Sequence, residues 1–325
     1  MKAAWYSRNG EARDVLQVGE LPDPKPGPGE VRVRLAASGV NPSDVKSRRG
    51  RPLGNELVVP HSDGAGVVDA VGAGVSASRI GQRVWIWNGQ WQRSMGTACE
   101  AIALPGAQAV ELPEGTSFDA GACLGIPALT AVQAIHLAGP LAGRDVLVTG
   151  AGNAVGHYVT QLATQAGARV IGTVGSEAKA VHARAAGVAE TIDYKHEAVA
   201  ERVKALTQGR GVDVVIDMDF SSTARLLSQG VLRAHGQLVC YGSNDTGDVA
   251  IHFRTLNWLS LGLKFFLVYE LSPAGRSRCV AELQALLNAG RLQHSIGSRF
   301  SLNQIATAHE TVEAGREIGN VVISL

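Results

Sequence analysis

The sequence predicts an α/β protein in which a β-rich region is joined to a parallel sheet with helices on both faces. After about residue 123, continuous apolar runs of strand length alternate with helical segments, as expected for strands buried on both faces. Before that point, short strands are interrupted by Pro and Gly. The run EVRVRLAASGV at 30–40 alternates polar and apolar residues, which is typical of a half-buried strand.

Composition limits the functions that the chain can have. Its 325 residues are more than one compact core usually holds, which favours two domains. A hydrophobic fraction of 45% and a net charge of +1 give no support for binding to nucleic acid or to an anionic membrane. The four scattered cysteines lack CxxC spacing, so we expect reduced thiols in a cytoplasmic protein. No apolar run has the length of a membrane span.

The elements follow in a simple order. The β-rich region continues with GAGVVDAVGAGV (64–75) and GQRVWIW (81–87). The strands of the parallel sheet are predicted in DVLVTG (145–150), ARVIGTVG (168–175), VDVVIDM (212–218) and GQLVCYG (236–242). Helices are predicted at 155–167, 177–187 and 275–290. A strand, a helix and a final strand follow at 294–325, and this tail resembles the first region more than the second.

The stretch VTGAGNAVG at 148–156 combines a strand, a Gly-rich turn and a helix in the order that dinucleotide binding requires. Gly150 and Gly152 let the backbone turn off the strand and approach a pyrophosphate, while Gly156 allows close packing of helix on sheet. The spacing departs from the strict G-x-G-x-x-G, and Asn153 interrupts the glycines. A tight turn without a ligand is the alternative. The residues assigned to the pyrophosphate are Gly150, Gly152, Ala154, Val155 and Gly156.

The end of the next strand indicates which cofactor is bound. An NAD enzyme usually has Asp or Glu there for the ribose hydroxyls. This chain instead has Gly175, Ser176 and Lys179 in the segment TVGSEAK, and a hydroxyl with a cation suits a 2′-phosphate. These residues favour NADPH. Glu177 keeps NADH open as the alternative, although an acid in the first turn of a helix also complements the helix dipole.

The sequence resembles the medium-chain dehydrogenase/reductase superfamily and, within it, the zinc-free quinone oxidoreductases related to zeta-crystallin. The resemblance covers the whole chain and implies a discontinuous GroES-like catalytic domain (1–122 and 294–325) around a Rossmann NADP-binding domain (123–293). The segments that carry it are GVNPSDVKSRRG (39–50), PHSDGAGVVDAVGAGV (60–75), CLGIPALTA (123–131), the loop at 150–156, GTVGSEAK (172–179), IDY (192–194) and GNVV (319–322).

Two departures from the superfamily matter. Zinc alcohol dehydrogenases place Cys near the position of Asn41 and His at that of Ser62, so no metal site is expected here. His61 lies one place off and is expected to be a surface residue or to act indirectly. Lys46 stands where several relatives have Tyr. With Arg48 and Arg49 it forms either a solvated loop or a cationic rim for the substrate.

The resemblance implies hydride transfer from NADPH to a conjugated acceptor such as a quinone. Asn41 is the candidate beside the nicotinamide, because its amide can donate to a cofactor or acceptor oxygen. Asp44 is expected to orient the neighbouring backbone, and Lys46 completes the candidate catalytic set. The resemblance also assigns further residues to the cofactor: Thr130 at the nicotinamide ribose, Ser176, Lys179 and Tyr194 at the 2′-phosphate, Tyr241, Gly242, Ser243 and Asn244 along the cofactor, and Phe266 to Val268 over the nicotinamide or in a plain buried strand.

Three functions remain open at this point: quinone reduction, C=C reduction of an enone or enoyl thioester, and cofactor binding with little turnover. The tryptophans of VWIWNGQW (84–91) either stack on a flat acceptor or serve as packing. A homodimer is expected through an apolar edge strand near LKFFLVY (263–269), since such an edge is a liability when left unpaired. One sequence does not decide between dimer and tetramer.

Overall fold

The computed structural model describes all residues from Met1 to Leu325 and confirms the α/β class. The strands are β1 (Lys2–Trp5), β2 (Gln17–Glu20), β3 (Glu30–Val40), β4 (Asp63–Val71), β5 (Arg83–Ile86), β6 (Ala101–Pro105), β7 (Ala109–Glu111), β8 (Asp145–Val148), β9 (Arg169–Val174), β10 (Glu190–Asp193), β11 (Val212–Asp217), β12 (Leu232–Cys240), β13 (Gly262–Phe265), β14 (Ile296–Ser301) and β15 (Asn320–Ser324).

The α-helices connect these strands, and short 3₁₀ and π turns make up the remainder of the helical structure. The α-helices are α1 (Ala12–Val15), α2 (Pro42–Gly50), α3 (Phe118–Gly121), α4 (Leu129–Ala138), α5 (Ala154–Gln165), α6 (Glu177–Ala185), α7 (Val199–Leu206), α8 (Phe220–Ser228), α9 (Phe253–Trp258), α10 (Pro273–Asn288) and α11 (Ile305–Ala314). None of them combines the length and apolar composition needed to cross a lipid bilayer.

The chain divides into two compact units. The first unit comprises Met1–Ile126, Leu287–Gly290 and His294–Leu325, and the second comprises Pro127–Leu286 and Arg291–Gln293.

The first unit is GroES-like and built around a seven-stranded sheet. Its strands run in the order β14-β15-β3-β4-β5-β7, and β6 pairs with β3 beside this path. Strand β15 is antiparallel to β3, with Val321 opposite Val40, so the end of the chain lies in the same sheet as residues 30–40. Alternate residues of β3, including Val31 and Val33, are fully buried and pack against Ile102 in one hydrophobic core. The alternation in the sequence therefore corresponds to a sheet with one buried face.

The second unit contains the doubly wound Rossmann sheet. All six strands are parallel, in the order β10-β9-β8-β11-β12-β13. Strand β8 continues to β9 on one side, whereas β11 lies on its other side, which creates a topological switch point at the carboxyl ends of β8 and β11. Ligands of open α/β sheets bind at such a point. Every residue of β11 is buried, which explains why apolar residues predominate in it.

The Rossmann sheet ends before residues 266–268, which the sequence could also have placed in a buried strand. Strand β13 is the edge strand, and it ends at Phe265. Phe266 donates its backbone N–H to the Cys240 carbonyl at 3.2 Å, Leu267 is 45% exposed, and Val268 begins a 3₁₀ turn. The interpretation of 266–268 as a plain buried strand is therefore wrong.

Candidate functional site

The glycine loop leaves β8 in a conformation that only glycine adopts easily. Gly150 has a φ of 66°, in the left-handed region, and an added Cβ would lie 2.1 Å from the Met218 sulfur. A Cβ on Gly152 would lie 2.9 Å from the Lys179 carbonyl oxygen. These contacts leave no room for side chains at the two glycines, and the absence of side chains also permits close approach of a pyrophosphate.

Gly156 packs the first turn of α5 against the same loop. A Cβ there would lie 2.2 Å from the carbonyl oxygen of Gly150 and 2.9 Å from the Ala151 Cα, so the contact is between backbones. Asn153, at the N-cap of α5, does not cap the helix with its side chain. The backbone N–H groups of the first turn of α5, beginning at Ala154 and Val155, therefore have no side-chain cap. Such a helix N-terminus suits an anion.

Asn153 has a structural role that the sequence did not reveal. Its side-chain oxygen accepts a hydrogen bond from Lys179 Nζ at 2.9 Å, and its Nδ2 donates to the Met218 sulfur at 3.1 Å. The amide therefore links the glycine loop to α6 and to the end of β11. Asn153 fixes the direction of the lysine ammonium, so its presence among the glycines is more than a tolerated departure.

The end of β9 brings the predicted 2′-phosphate residues together. Ser176 is the N-cap of α6, and its Oγ accepts the backbone N–H of Lys179 at 3.3 Å. This bond leaves the hydroxyl hydrogen of Ser176 unused. Tyr194 lies over Gly175, because a Cβ on that glycine would be 2.8 Å from the tyrosine hydroxyl oxygen. The Tyr194 ring is 54% exposed. A hydroxyl and a phenol thus lie at the end of β9, and the Lys179 ammonium is held nearby by Asn153 in the glycine loop.

Glu177, the residue that kept NADH open, belongs to the first turn of α6, and its side chain is 77% exposed. Its carboxylate accepts a hydrogen bond from Arg184 Nη1 at 3.0 Å. This arrangement fits an acid that complements the helix dipole and is paired along the helix surface.

A buried aspartate at the end of β11, which sequence reasoning missed, organises the switch point. Asp217 is fully buried and accepts the hydroxyls of Thr149 and Thr223, each at 2.7 Å. Thr149 Oγ1 in turn accepts the Met218 N–H at 2.9 Å. Burial raises the pKa of Asp217, and the two threonine bonds oppose that rise. Its position at the end of the apolar run VDVVIDM was the available signal.

The residues after β12 are held by a second aspartate. Asn244 donates both its backbone N–H, at 2.8 Å, and its Nδ2, at 2.9 Å, to the carboxylate of Asp219. Ser243 Oγ accepts the Ser221 N–H at 3.2 Å. Gly242 approaches the Met218 carbonyl so closely that a Cβ would lie 2.7 Å from its oxygen. This segment is therefore rigidly placed at the carboxyl edge of the sheet.

The remaining cofactor candidates of the second unit lie in two further places. Thr130 is buried in α4. The rings of Tyr241 and Phe266 lie 6.4 Å apart at 50° to one another, and Val268 is buried.

In the first unit, Asn41 lies between two buried carboxyls. Its backbone N–H donates to Asp44 Oδ2 at 2.8 Å, and its Nδ2 donates to Asp63 Oδ2 at 3.0 Å. All three residues are at most 5% exposed. Asp44 thus fixes the backbone at the start of α2, as expected from the sequence. Asp63, which the sequence did not single out, fixes the Asn41 amide and uses one of its two N–H groups.

Burial is the largest influence on the protonation of these two acids. Desolvation raises the pKa of Asp44 to about 7, although hydrogen bonds from Asn41, the charge of Arg51 and the Ser62 N–H oppose it. Burial likewise raises the pKa of Asp63 well above its usual value, and the nearby Asp44 adds to that rise. Near neutral pH the pair therefore carries less negative charge than two ordinary carboxylates.

We predict that Asp44→Asn flattens the dependence of stability on pH. A carboxyl with a pKa of about 7 when folded and 3.8 when unfolded stabilises fully below pH 3.8, and that stability is lost as the pH rises through 7. The loss is at most on the order of 4 kcal/mol. The melting temperature should thus fall less steeply between pH 4 and pH 7 in the variant than in the wild type. The exposed Asp248→Asn serves as the control, and an unchanged slope in Asp44→Asn would refute the assignment.

The basic residues of 46–49 do not form the loop or the common rim that the sequence suggested. They lie in α2, where Arg48 is fully buried and donates to Glu313 and to the Gly10 carbonyl. Arg49 donates to both carboxylate oxygens of Glu11 at 3.0 Å. Lys46 is exposed and, at 100° per residue, lies about 200° around the helix from Asp44. The structure therefore does not bring Lys46 together with Asn41 and Asp44.

His61 is not a surface residue, so the first of the two alternatives for it is wrong. It is fully buried with a φ of 76° and stacks on His309 at 5.1 Å between ring centroids. Its Nε2 lies 2.9 Å from His309 Nε2, and its Nδ1 lies 2.8 Å from Ser38 Oγ. Burial lowers the pKa of His61 to about 3, so the ring is neutral. These bonds give His61 a packing role within the first unit.

The tryptophan cluster has mixed surroundings. Trp85 is fully buried, which makes it core packing, while Trp87 and Trp91 are partly exposed. No group of three or more His, Cys, Asp or Glu side chains is arranged to hold a metal ion.

Two family models match this chain. The model described as "Alcohol dehydrogenase GroES-like domain" matches residues 27–114, and the one described as "Zinc-binding dehydrogenase" matches residues 154–284. Among curated proteins, a quinone oxidoreductase of Pseudomonas aeruginosa is 32% identical over 315 residues, covering 95% of each chain. A 2-haloacrylate reductase of a Burkholderia species is 31% identical, covering 99% of this chain and 98% of its own.

Two solved structures are similar to this chain over its full length. A mycobacterial protein solved in complex with NADPH has a TM-score of 0.88 at 29% identity, with 100% of both chains covered. A NAD-dependent alcohol dehydrogenase also has a TM-score of 0.88, at 30% identity and the same coverage.

Proposed function

Because this chain belongs to the quinone oxidoreductases of the medium-chain dehydrogenase/reductase superfamily, we propose that it reduces quinones with hydride from NADPH and without a metal ion. The family makes it an oxidoreductase. The choice of NADPH, the acceptor and the absence of a metal from the reaction are the parts that we propose.

The observation that carries the proposal is the contact between the glycine loop and the 2′-phosphate residues. Gly150, Gly152 and Gly156 leave a bare backbone cradle, and the Asn153–Lys179 bond brings an ammonium to its rim. A tight loop whose glycines leave no room for side chains, bordered by a hydroxyl and a cation, fits a dinucleotide with a phosphorylated ribose. The relative solved with NADPH supports the same choice.

The residues of the second unit would hold the cofactor in a fixed order. The glycine loop with Ala154 and Val155 would hold the pyrophosphate, and Ser176, Lys179 and Tyr194 would hold the 2′-phosphate. The edge from Tyr241 to Asn244, together with Thr130, Phe266 and Val268, would line the nicotinamide half. When bound, NADPH supplies the hydride. The protein has to orient the reactants and exclude water.

In the first unit, Asn41 would donate its second amide N–H to an acceptor oxygen. Asp63 holds that amide through the other N–H, and Asp44 holds the backbone below it. A quinone that gains a hydride becomes a hydroquinone anion, which takes its proton from solvent. The reaction therefore needs no strong acid on the protein, and Lys46 is left with a purely electrostatic contribution. The donor set also supports a metal-free reaction, because no three ligating side chains converge.

A second candidate is reduction of an activated C=C bond. The Burkholderia relative is named a 2-haloacrylate reductase, and the same hydride geometry serves both acceptors. Asn41 would then donate to the carbonyl oxygen of the enone.

A homodimer and a cytoplasmic location complete the proposal. Strand β13 is an unpaired edge, and Phe265, Leu267, Phe253 and Trp258 expose 45–79% of their surface in and around it. Pairing of this edge with a second copy would cover those side chains. All four cysteines are free and buried, which fits a reducing compartment.

The acceptor is tested by steady-state oxidation of NADPH in the presence of a chelator. We expect rapid turnover with benzoquinone and slower turnover with a simple enone. Turnover with the enone alone would move the protein to the C=C reductases. No turnover with either acceptor, in a protein that still binds NADPH, would contradict the proposed function and leave a binding role.

A further inference from the structure

Arg51 differs from the other arginines of its segment. Arg48 and Arg49 each bind a glutamate, whereas Arg51 forms no ion pair with any carboxylate. It is the C-cap residue of α2, and its side chain is exposed. A guanidinium without a counter-ion, next to arginines that have one, marks a place where an external anion can bind.

The Arg51 guanidinium is stacked on an indole. Its Cζ lies 4.8 Å from the centroid of the Trp91 ring. A guanidinium that lies over an aromatic face keeps N–H donors that can still bind an anion. Their fork matches a carboxylate or sulfonate in a bidentate bond. The stack also fixes the orientation of a side chain that is otherwise flexible.

The position of Arg51 relates it to the candidate catalytic residues of the first unit. Arg51 is the C-cap of α2, seven residues after Asp44, which lies in the first turn of the same helix. The charge of Arg51 is close enough to lower the pKa of both Asp44 and the buried Tyr6. Because burial raises the pKa of Asp44 and Asp63, these acids repel an incoming anion less than ordinary carboxylates would.

We propose that Arg51, stacked on Trp91, is a specificity residue that selects anionic acceptors, namely planar quinones bearing a carboxylate or sulfonate. This inference deepens the proposed function and depends on it for the reaction itself. The earlier alternative of a cationic rim built from Lys46, Arg48 and Arg49 is replaced by one cation that the structure leaves without an acid.

The test compares naphthoquinone with its sulfonate, a neutral and an anionic form of one ring system. In Arg51→Gln, we expect the ratio of kcat/KM for the sulfonate to that for the parent quinone to fall about 10- to 100-fold, mainly through KM. Arg51→Lys keeps the charge but not the fork and should lose less. Arg49→Gln, which removes an exposed arginine that is paired with Glu11, is the matched control and should leave the ratio unchanged.

A binding measurement separates this inference from the proposed function. Calorimetric titration with naphthalenesulfonate, which accepts no hydride, should show about 10-fold weaker binding to Arg51→Gln and unchanged binding to Arg49→Gln. If the wild type reduces neither quinone, the proposed function fails. The titration still shows whether Arg51 binds the sulfonate. Equal sulfonate affinity in the wild type and Arg51→Gln, or an equal fall with both quinones, would overturn the inference.

Discussion

Replacing Lys179 by methionine is expected to raise the KM for NADPH about 10- to 100-fold. A charge-assisted hydrogen bond to phosphate contributes about 1.5–3 kcal/mol, and methionine keeps the length of the side chain without its charge. NADH has no 2′-phosphate, so its KM should change less than about threefold. The measurement is steady-state oxidation of each cofactor with benzoquinone.

Lys204→Met provides the control, because it removes a lysine from α7, which is remote from the end of β9 in the sequence. Because Lys179 also donates to Asn153, it could act by holding the glycine loop in place, and the experiment distinguishes this role from phosphate binding. If the KM values for NADPH and NADH rise together in Lys179→Met, the lysine acts by shaping the glycine loop. In that case the 2′-phosphate assignment is wrong.

The Gly156→Ala variant is expected to unfold more readily and to lose most of its affinity for NADPH. The added Cβ would meet the Gly150 carbonyl at 2.2 Å, and neither backbone can rotate away as a side chain would. Overpacking of this kind costs about 1–3 kcal/mol, and it displaces the loop that would hold the pyrophosphate. Thermal unfolding and calorimetric titration with NADPH measure the two effects separately.

Gly262→Ala is the matched control in the same unit. Its Cβ would meet only the Cβ of Gln237, at an ordinary 3.5 Å. This variant should keep wild-type stability and wild-type affinity for NADPH. A Gly156→Ala variant that did the same would show that α5 does not need close contact with the loop, and the cradle argument would fail.

The fold could be predicted from sequence because burial leaves a local signature. Strand β11 is buried on both faces and reads as VDVVID, while β3 has one buried face and alternates. The dinucleotide loop was likewise visible, since each glycine has a local reason to lack a side chain. The family resemblance then identified which strands and loops belong together.

Side-chain partners from distant segments could not be predicted. His61 looked like a stray histidine beside a loop, yet it is buried against His309, 248 residues further along the chain. Arg48 is neutralised by Glu313, which no local pattern connects to α2. Asn153 seemed a departure from the glycine pattern until its bond to Lys179 appeared. Such contacts depend on tertiary packing, which periodicity and spacing do not encode.

We propose that the loop at 150–156, together with Ser176 and Lys179, selects NADPH for quinone reduction. The most direct measurement is the ratio of kcat/KM for NADPH to that for NADH, with benzoquinone as acceptor and a chelator present. We predict a ratio of at least about 10, since one charge-assisted contact to the 2′-phosphate gives that factor. A ratio near one, or a preference for NADH, would contradict this proposal. Glu177 would then be assigned to the ribose hydroxyls of NADH.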